Sequence, residues 1–230
     1  KRNFTNMNNL NHVAFIMDGN GRWGKKRNKS RNFGHAAGVN VVKNIVKQSI
    51  KLEIPVISFF VFSTENWKRP KSETNFLFNL IINYFKEELN NVVTNGIKIN
   101  IIGEKKNLPQ KIKLSLKHVT KLTIKNKKII VNLALNYGSK NEIIYAFKKI
   151  KKNKIINEVN FKKNLYTKNL PDPDILIRTG GHKRLSNFML WQIAYAEIFF
   201  LDKLWPDFNS HDLKKIVNNF KMIKRNFGSL

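Results

Sequence analysis

Short apolar runs alternating with amphipathic segments predict one α/β domain over residues 1–230, a six-stranded, mostly parallel sheet flanked by helices. Three observations carry that reading. The short runs, such as VISFFVF at 56–62, are apolar at every position but one, as in strands covered on both faces. The segments between them repeat apolar residues at three-and-four spacing instead. Arginine-bearing polar clusters follow strands, which is where open α/β sheets bind ligands. At 230 residues one core suffices, and no repeat or linker marks a boundary.

The first strand is expected over Val13 to Met17, directly ahead of Asp18-Gly19-Asn20-Gly21-Arg22. A basic loop, 25–31, leads to a helix from Gly34 to Leu52 with Val39, Val42, Ile45, Val46 and Ile50 at helical spacing. The strand at 56–62 opens into a polar loop, 63–70. Lys71 to Asn95 reads as a long helix, with Ser72 as candidate N-cap and Gly96 as its stop. Its apolar residues cover roughly 260° of its surface, against ~100° for an ordinary surface helix. Such a helix lies between the core and a partner subunit, or packs with one side and lines a greasy cavity with the other. Strands at 97–102 and 129–135 and helices at 108–123 and 139–150 come next. A Lys/Asn-rich connection with one short helix then runs to about Asn169. A fifth strand, 174–177, ends in Arg178-Thr179-Gly180-Gly181. Leu185 to Tyr195 reads as a helix, 197–201 as the sixth strand and 210–225 as the closing helix, while residues 1–11 are expected to be flexible.

Composition narrows the function. With no Cys there is no disulfide, thiolate metal site or Cys nucleophile. No run of 18 apolar residues occurs, and KRNFTNMNNLN lacks the apolar stretch of a signal peptide, so a cytoplasmic protein is expected. A net charge of +28 suggests nucleic acid. Against that, Asn is about one residue in seven, and Lys, Asn and Ile inflated together mark compositional drift. The lysines are also spread over nearly every expected helix rather than gathered in a stripe. No nucleic-acid partner is expected. Anionic partners are: diphosphates, or a membrane surface touched peripherally.

His12 to Arg22, HVAFIMDGNGR, is the most informative stretch. An acid at the mouth of a buried strand, followed by two glycines, makes an anion-and-metal cradle. Asp18 can hold a divalent cation, the amides and Arg22 can hold phosphate oxygens, and Mg²⁺ would bridge the two. Gly19 to Gly24 also matches G-x-G-x-x-G. The dinucleotide fingerprint needs a helix opening within the motif and an acid about 20 residues on. Here the motif runs into a basic segment with no apolar stripe, and no acid occurs between Asp18 and Glu53. The dinucleotide reading is set aside. Further clusters at Ser63 to Arg69 and Arg178 to Ser186 bring Arg69, Arg178 and Arg184 to the edge that carries Arg22 and Arg31. Asn66, Ser63, Ser186 and His35 add hydrogen-bonding groups. Charge for more than one phosphate beside a greasy cavity implies an amphipathic substrate, a lipid diphosphate.

HVAFIMDGNGRW, Arg31 with GH at 34–35, STENWKRPKSE at 63–73 and DILIRTGG…RLSNFMLWQIAYAE at 174–197 strongly resemble the cis-prenyltransferases of the undecaprenyl diphosphate synthase type. The likeness runs from about His12 to Phe227. It implies a six-stranded parallel sheet with a hydrophobic tunnel, a homodimer, and repeated condensation of isopentenyl diphosphate onto an allylic diphosphate such as farnesyl diphosphate. The implied product is undecaprenyl diphosphate, precursor of a lipid carrier for cell-wall glycans. By the same resemblance Asp18 would bind Mg²⁺ and assist departure of diphosphate. Gly19, Asn20, Gly21 and Arg22, with Arg31 and His35, would hold the allylic diphosphate. Arg178, Arg184 and Ser186 would hold that of isopentenyl diphosphate, and Glu197 matches a second metal-associated acid. Asn66 matches the residue assigned to proton removal; an amide is a poor base, so positioning is its expected role. Ser63, Glu65, Trp67 and Arg69 match the rest of that loop, and Trp23, Thr64 and Leu185 fall within the motifs and are assigned to substrate binding with them.

The chain departs from the family pattern in three places. Gly24 replaces a usual Ala, His182-Lys183 replaces an acid-containing pair, and Asn226 stands where a tail motif has Arg, with Arg225 one position earlier. A non-catalytic scaffold subunit would lose the metal acid or the strand-end arginines. This chain keeps Asp18, Arg22, Arg31, Arg69, Arg178 and Arg184. A nucleic-acid binder would instead show salt-sensitive binding to duplexes. For product length the resemblance singles out Val61, where long-chain members commonly have Ala. Strand alternation lets only one of Phe60 and Val61 face the cavity.

Overall fold

The computed structural model describes residues 8–150 and 155–226. Its strands are β1 (His12–Ile16), β2 (Val56–Ser63), β3 (Ile97–Ile102), β4 (Ile129–Tyr137), β5 (Ile175–Arg178) and β6 (Glu197–Phe200). They form one sheet in the order β3-β4-β2-β1-β5-β6, and every pairing is parallel. From β1 the chain lays β2 alongside it, places β3 at the edge and inserts β4 between them, then crosses to β5 on the other side of β1. The crevice beyond the carboxyl ends of β1 and β5 is therefore the switch point at which such sheets bind ligands.

Alternation within the strands makes two cores. Val13, Phe15, Ile57, Phe59, Val131 and Leu133 face one side, where α2 (Arg31–Lys51), α3 (Lys71–Thr94), α4 (Gln110–Thr123) and α7 (Ser210–Met222) cover them. Ala14, Ile16, Ala134 and Leu176 face the other, packed by Phe188, Met189 and Ile193. Outside that layer lie α5 (Ser139–Lys149) and the expected short helix, α6 (Glu158–Lys162), joined through Ala146, Phe161 and Leu165. A polar ladder crosses the second face. His12 Nε2 meets Ser58 Oγ at 2.7 Å, Asn132 donates to Ser58 Oγ at 2.9 Å, and Asn100 donates to Asn132 Oδ1 at 2.9 Å. Periodicity alone did not reveal it.

Several expectations change. The basic loop begins as a helix, α1 (Asn20–Lys26), which opens inside the G-x-G-x-x-G string. It lacks an apolar stripe because it packs backbone to backbone on α2: a Cβ on Gly34 would lie 1.9 Å from the Asn20 carbonyl oxygen. The missing downstream acid still separates it from the dinucleotide fingerprint. α3 starts one residue before Ser72, with Pro70 at the N-cap. Residues 185–195 form no helix. Ser186, Asn187 and Met189 take φ of 50°, 62° and 48°, the left-handed region that interrupts one. Tertiary hydrogen bonds hold them there: Leu190 N donates to Ser139 Oγ at 2.9 Å, and Gln192 donates to the buried Glu142 carboxylate at 3.0 Å. Asn8 donates to the carbonyls of Phe220 and Ile223, and Asn11 N donates to Asp174, so residues 8–11 are tied down. Residues 1–7 of the expected flexible segment, and 151–154 of the Lys/Asn-rich connection, lie outside the described residues. In β2 the register shifts between Phe60 and Phe62, making Val61 the extra residue of a bulge.

Candidate active site

An apolar cavity of about 380 Å³ lies between the first face of the sheet and helices α2 and α3. Phe59, Val61, Ile99 and Leu133 supply its floor, Val42 and Val46 one wall, and Leu77, Ile81 and Tyr84 the other. The broad apolar surface of α3 is thereby accounted for within one chain. The bulge alters the expected alternation in β2. Phe60 stacks on Phe188 at 4.5 Å on the second face, yet both Phe60 and Val61 reach the cavity.

At the carboxyl end of the sheet the lining turns polar: Asp18, Asn20, His35, Ser63, Asn66, Arg69, Arg178, Arg184 and Ser186. They fall into two groups. The first is centred on the switch point. Asp18 Oδ2 accepts from Arg178 at 2.8 Å and Oδ1 from Arg22 at 3.3 Å. Arg178 also donates to Ser186 Oγ at 2.7 Å and to the Arg184 carbonyl, and Arg22 donates to the Gly180 carbonyl at 2.7 Å. Gly19, at φ 108°, makes the turn that sends the chain from Asp18 into α1. Burial pushes the Asp18 carboxyl up, but the hydrogen bond and charge of Arg178, with Arg22, outweigh it and leave the group below its ordinary value. Asp18 is ionised at neutral pH.

The second group gathers around Glu73, in the first turn of α3. Its carboxylate meets both ends of the Arg31 guanidinium at 3.3 Å, Arg69 at 3.1 Å and His35 at 3.6 Å. Burial raises the Glu73 carboxyl, and Arg31, with Arg69, more than reverses it. Burial, then Arg69, lowers His35 to about 4, so its ring is neutral, and its Nε2 is buried without a hydrogen bond, as is Asn20 Oδ1. Asn66 Oδ1 accepts from Ser63 N at 3.1 Å, closing the 63–68 turn.

Comparison with known proteins fits this geometry. Residues 16–228 match the family model described as "Putative undecaprenyl diphosphate synthase". The chain belongs to that family. An isoprenyl transferase of Clostridium perfringens is 43% identical over 227 residues, 95% of this chain and 90% of that one. One from Treponema denticola is 45% identical, covering 96% and 98%. Among solved structures, lavandulyl diphosphate synthase from Lavandula x intermedia in complex with dimethylallyl diphosphate superposes with TM-score 0.92 at 33% identity, covering 95% of this chain and 98% of that one. A probable undecaprenyl diphosphate synthase from Campylobacter jejuni gives TM-score 0.84 at 36% identity, covering 97% and 100%. The protein is a prenyltransferase, and the family acts on prenyl diphosphates.

Not every residue assigned by the family pattern lies in the cavity. The Trp23 indole donates to Asp207 at 2.7 Å, stacks on Phe33 and carries Arg27 3.8 Å above its ring. Trp67 donates to Asn136 at 2.7 Å, and Leu185 packs in the second core. Thr64 and Glu65 hydrogen-bond to each other, with Glu65 held also by Asn187. Glu197 is the clearest displacement. It opens β6 opposite Ile175, three residues below Arg178 and thus ~10 Å down the strands, with its carboxylate 3.6 Å from Arg225. Within one chain it cannot share an ion with Asp18. Glu73 had been passed over; its signal was the i,i+4 spacing from Arg69 within KRPKSE.

Proposed function

We propose that the protein condenses isopentenyl diphosphate repeatedly onto an allylic diphosphate, farnesyl diphosphate in the first instance, to make a cis-polyprenyl diphosphate of about undecaprenyl length. The observation that carries this reading is an apolar cavity whose only polar end gathers Asp18, Arg69, Arg178 and Ser186. A hydrocarbon tail belongs in the cavity and a diphosphate at its mouth.

In each cycle the C–O bond of the allylic diphosphate breaks and its electrons leave with the diphosphate. The isopentenyl double bond supplies the pair for the new C–C bond, and loss of a C2 proton regenerates a double bond. Arg31, Arg69 and neutral His35 stabilise the leaving diphosphate, while Arg178, Arg184 and Ser186 hold that of isopentenyl diphosphate. Asn66, with its carbonyl committed to Ser63 N, orients substrate, and a diphosphate oxygen takes the proton.

The ionised Asp18 carboxylate at the mouth, a hard oxygen donor, suits a hard divalent cation. Among the described residues no group of three or more His, Cys, Asp or Glu could hold a metal, so diphosphate oxygens and water would complete the shell. Mg²⁺ bound there would neutralise charge on the leaving group. Glu197 could join only from a second subunit of a homodimer. No helix of the described residues is long and apolar enough to cross a membrane; the product is met peripherally at the membrane surface.

The test is radiolabelled isopentenyl diphosphate with farnesyl diphosphate and Mg²⁺, the dephosphorylated products sized by chromatography. A long-chain ladder is expected, and no incorporation would overturn the reading. A cavity of about 380 Å³ has the size of a small-molecule site, so a growing chain must part its walls. Val61→Trp, a bulky side chain at the bulge, should truncate products by several isoprene units, and Ile99→Ala should lengthen them. Full-length chains from Val61→Trp would show that growth does not pass this strand.

A further inference from the structure

The two loops that flank the place assigned to isopentenyl diphosphate are joined by one side chain. Asn187 Nδ2 donates to Glu65 Oε1 at 2.9 Å, across to the 63–69 loop. Its Oδ1 accepts from Lys140 N at 2.9 Å, and its backbone carbonyl accepts from Ser139 N at 2.8 Å, both at the start of α5. Each end of this clip is next to a site residue. Asn66 follows Glu65, and Ser186, whose Oγ accepts from Arg178, precedes Asn187. The fit is close: a Cβ on Gly138 would lie 2.6 Å from Thr64 Oγ1 and 2.7 Å from Asn187 Nδ2. Asn187 itself stands at φ 62°, a conformation Asn tolerates better than most residues.

We propose that Asn187 is a positioning residue for the condensation, locking the Asn66 loop to the Arg184–Ser186 loop so that isopentenyl diphosphate is held at its head and at its reacting end in one registry. This rests on the function proposed above. The anchor on α5 makes the 184–186 loop the fixed partner; the amide bond to Glu65 is what transmits its position to Asn66. Glu65 suits the task, because burial raises its carboxyl and the Asn187 hydrogen bond leads the contacts that reverse this, keeping it an ionised acceptor.

Asn187→Asp separates this role from simple helix capping. Asp keeps the acceptor for Lys140 N and suits a helix first turn, so a capping role alone predicts a silent or stabilising change. If the clip matters, N187D sets two carboxylates face to face. Its KM for isopentenyl diphosphate should then rise about tenfold, the worth of one hydrogen bond to a charged group. kcat should fall with it, while farnesyl diphosphate binding, made by α1 to α3, stays at the wild-type value. The penalty should shrink on acidification as one carboxylate takes a proton. The polarity swap Glu65→Gln with Asn187→Asp restores a donor facing an acceptor and should recover most of the loss. Asn187→Gly, which suits φ 62° and deletes only the side chain, should repeat the KM rise if N187D folds poorly. N187D kinetics within twofold of wild type, or a swap no better than N187D, overturns the proposal. Wild-type protein that incorporates no isopentenyl diphosphate overturns the function instead.

Discussion

The Arg178 side chain is 3% exposed and bound to Asp18, Ser186 and the Arg184 carbonyl; the Arg31 side chain is 44% exposed and rests on Glu73. Arg178 lines the mouth of the cavity, whereas Arg31 stands behind it, sharing Glu73 with the lining residues Arg69 and His35; both arginines are assigned to diphosphate. Arg178 issues from a strand end in the middle of the sheet, where packing and hydrogen bonds fix it before substrate arrives. Arg31 and Arg69 come from the start of α2 and the loop ahead of α3, and a carboxylate of the protein, Glu73, holds both. A buried cation loses little freedom on binding, whereas the more exposed outer pair must be ordered. The inner group is rigid and the outer group adjustable. That suits an enzyme in which one substrate is the same every cycle and the other grows.

The largest effect should come from breaking the inner group at its acid. Asp18→Ala should lower turnover more than about a hundredfold, the scale of a lost charge-stabilising group, while isopentenyl diphosphate still binds. It should also lower the melting temperature, because it strands the buried Arg178 guanidinium without its anion. Near-normal turnover at saturating Mg²⁺ would remove Asp18 from the chemistry.

The arginines sharpen the comparison. Arg178→Ala should raise KM for isopentenyl diphosphate by roughly 10- to 100-fold, equivalent to about 1.5–3 kcal/mol of charge-assisted bonding, and destabilise the fold. Arg31→Ala should weaken the allylic substrate and leave the melting temperature nearly unchanged, because Arg31 is largely exposed and Glu73 keeps Arg69 as a partner. Titrations in which both variants lose the same substrate would end the division into two groups.

The smallest effect concerns protons. Asp18 and Glu73 are held below their ordinary values, so both groups keep their acids ionised well into the acid range. His35 of the outer group behaves differently, and so does His12 of the ladder: each is lowered from 6.5 to about 4, by burial first. Their folded forms refuse a proton that the unfolded chain accepts, so stability is full above about pH 6.5 and falls as pH drops toward 4. For the fully buried His12 alone this is roughly 3 kcal/mol across that window. Glu142, raised by burial, works the other way, its contribution being lost as pH rises. Urea denaturation between pH 7 and 4 should show the fall, with the outer group loosening as His35 protonates. His12→Gln should flatten the curve; an unchanged slope would mean His12 is not held neutral.

The strands and long helices were legible because continuous apolar runs and three-and-four spacing report burial directly, as VISFFVF and 34–52 do. The inner group was legible for a related reason, since β1 and β5 carry Asp18 and Arg178 to adjacent strand ends. Misreadings arose where tertiary contacts override local pattern. FMLWQIAY has helical apolar spacing, yet hydrogen bonds donated to Ser139 and Glu142 hold the segment in a left-handed, non-helical path. α1 hid because glycines, not an apolar stripe, make its packing surface. The place of Glu197 was not legible, because a motif records a residue's neighbours in sequence, not the end of the strand on which it stands.

In the His12-Ser58-Asn132-Asn100 ladder, Ser58, Asn132 and Asn100 stand in register on β2, β4 and β3, and His12 reaches Ser58 diagonally from two residues lower on β1. Apolar strands slide past one another cheaply, since Ile, Val and Phe fit many neighbours. These four cannot. Slipping any one strand by a residue turns its polar group into the opposite core and leaves its former partners buried and unmatched, at about 1–3 kcal/mol for each orphan. The ladder acts as an alignment key cut across the sheet: it adds little to the affinity between strands but penalises every wrong pairing. By fixing β1 against β2 it brings the strand ends that lead to Asp18 and Ser63 to the rim of one cavity.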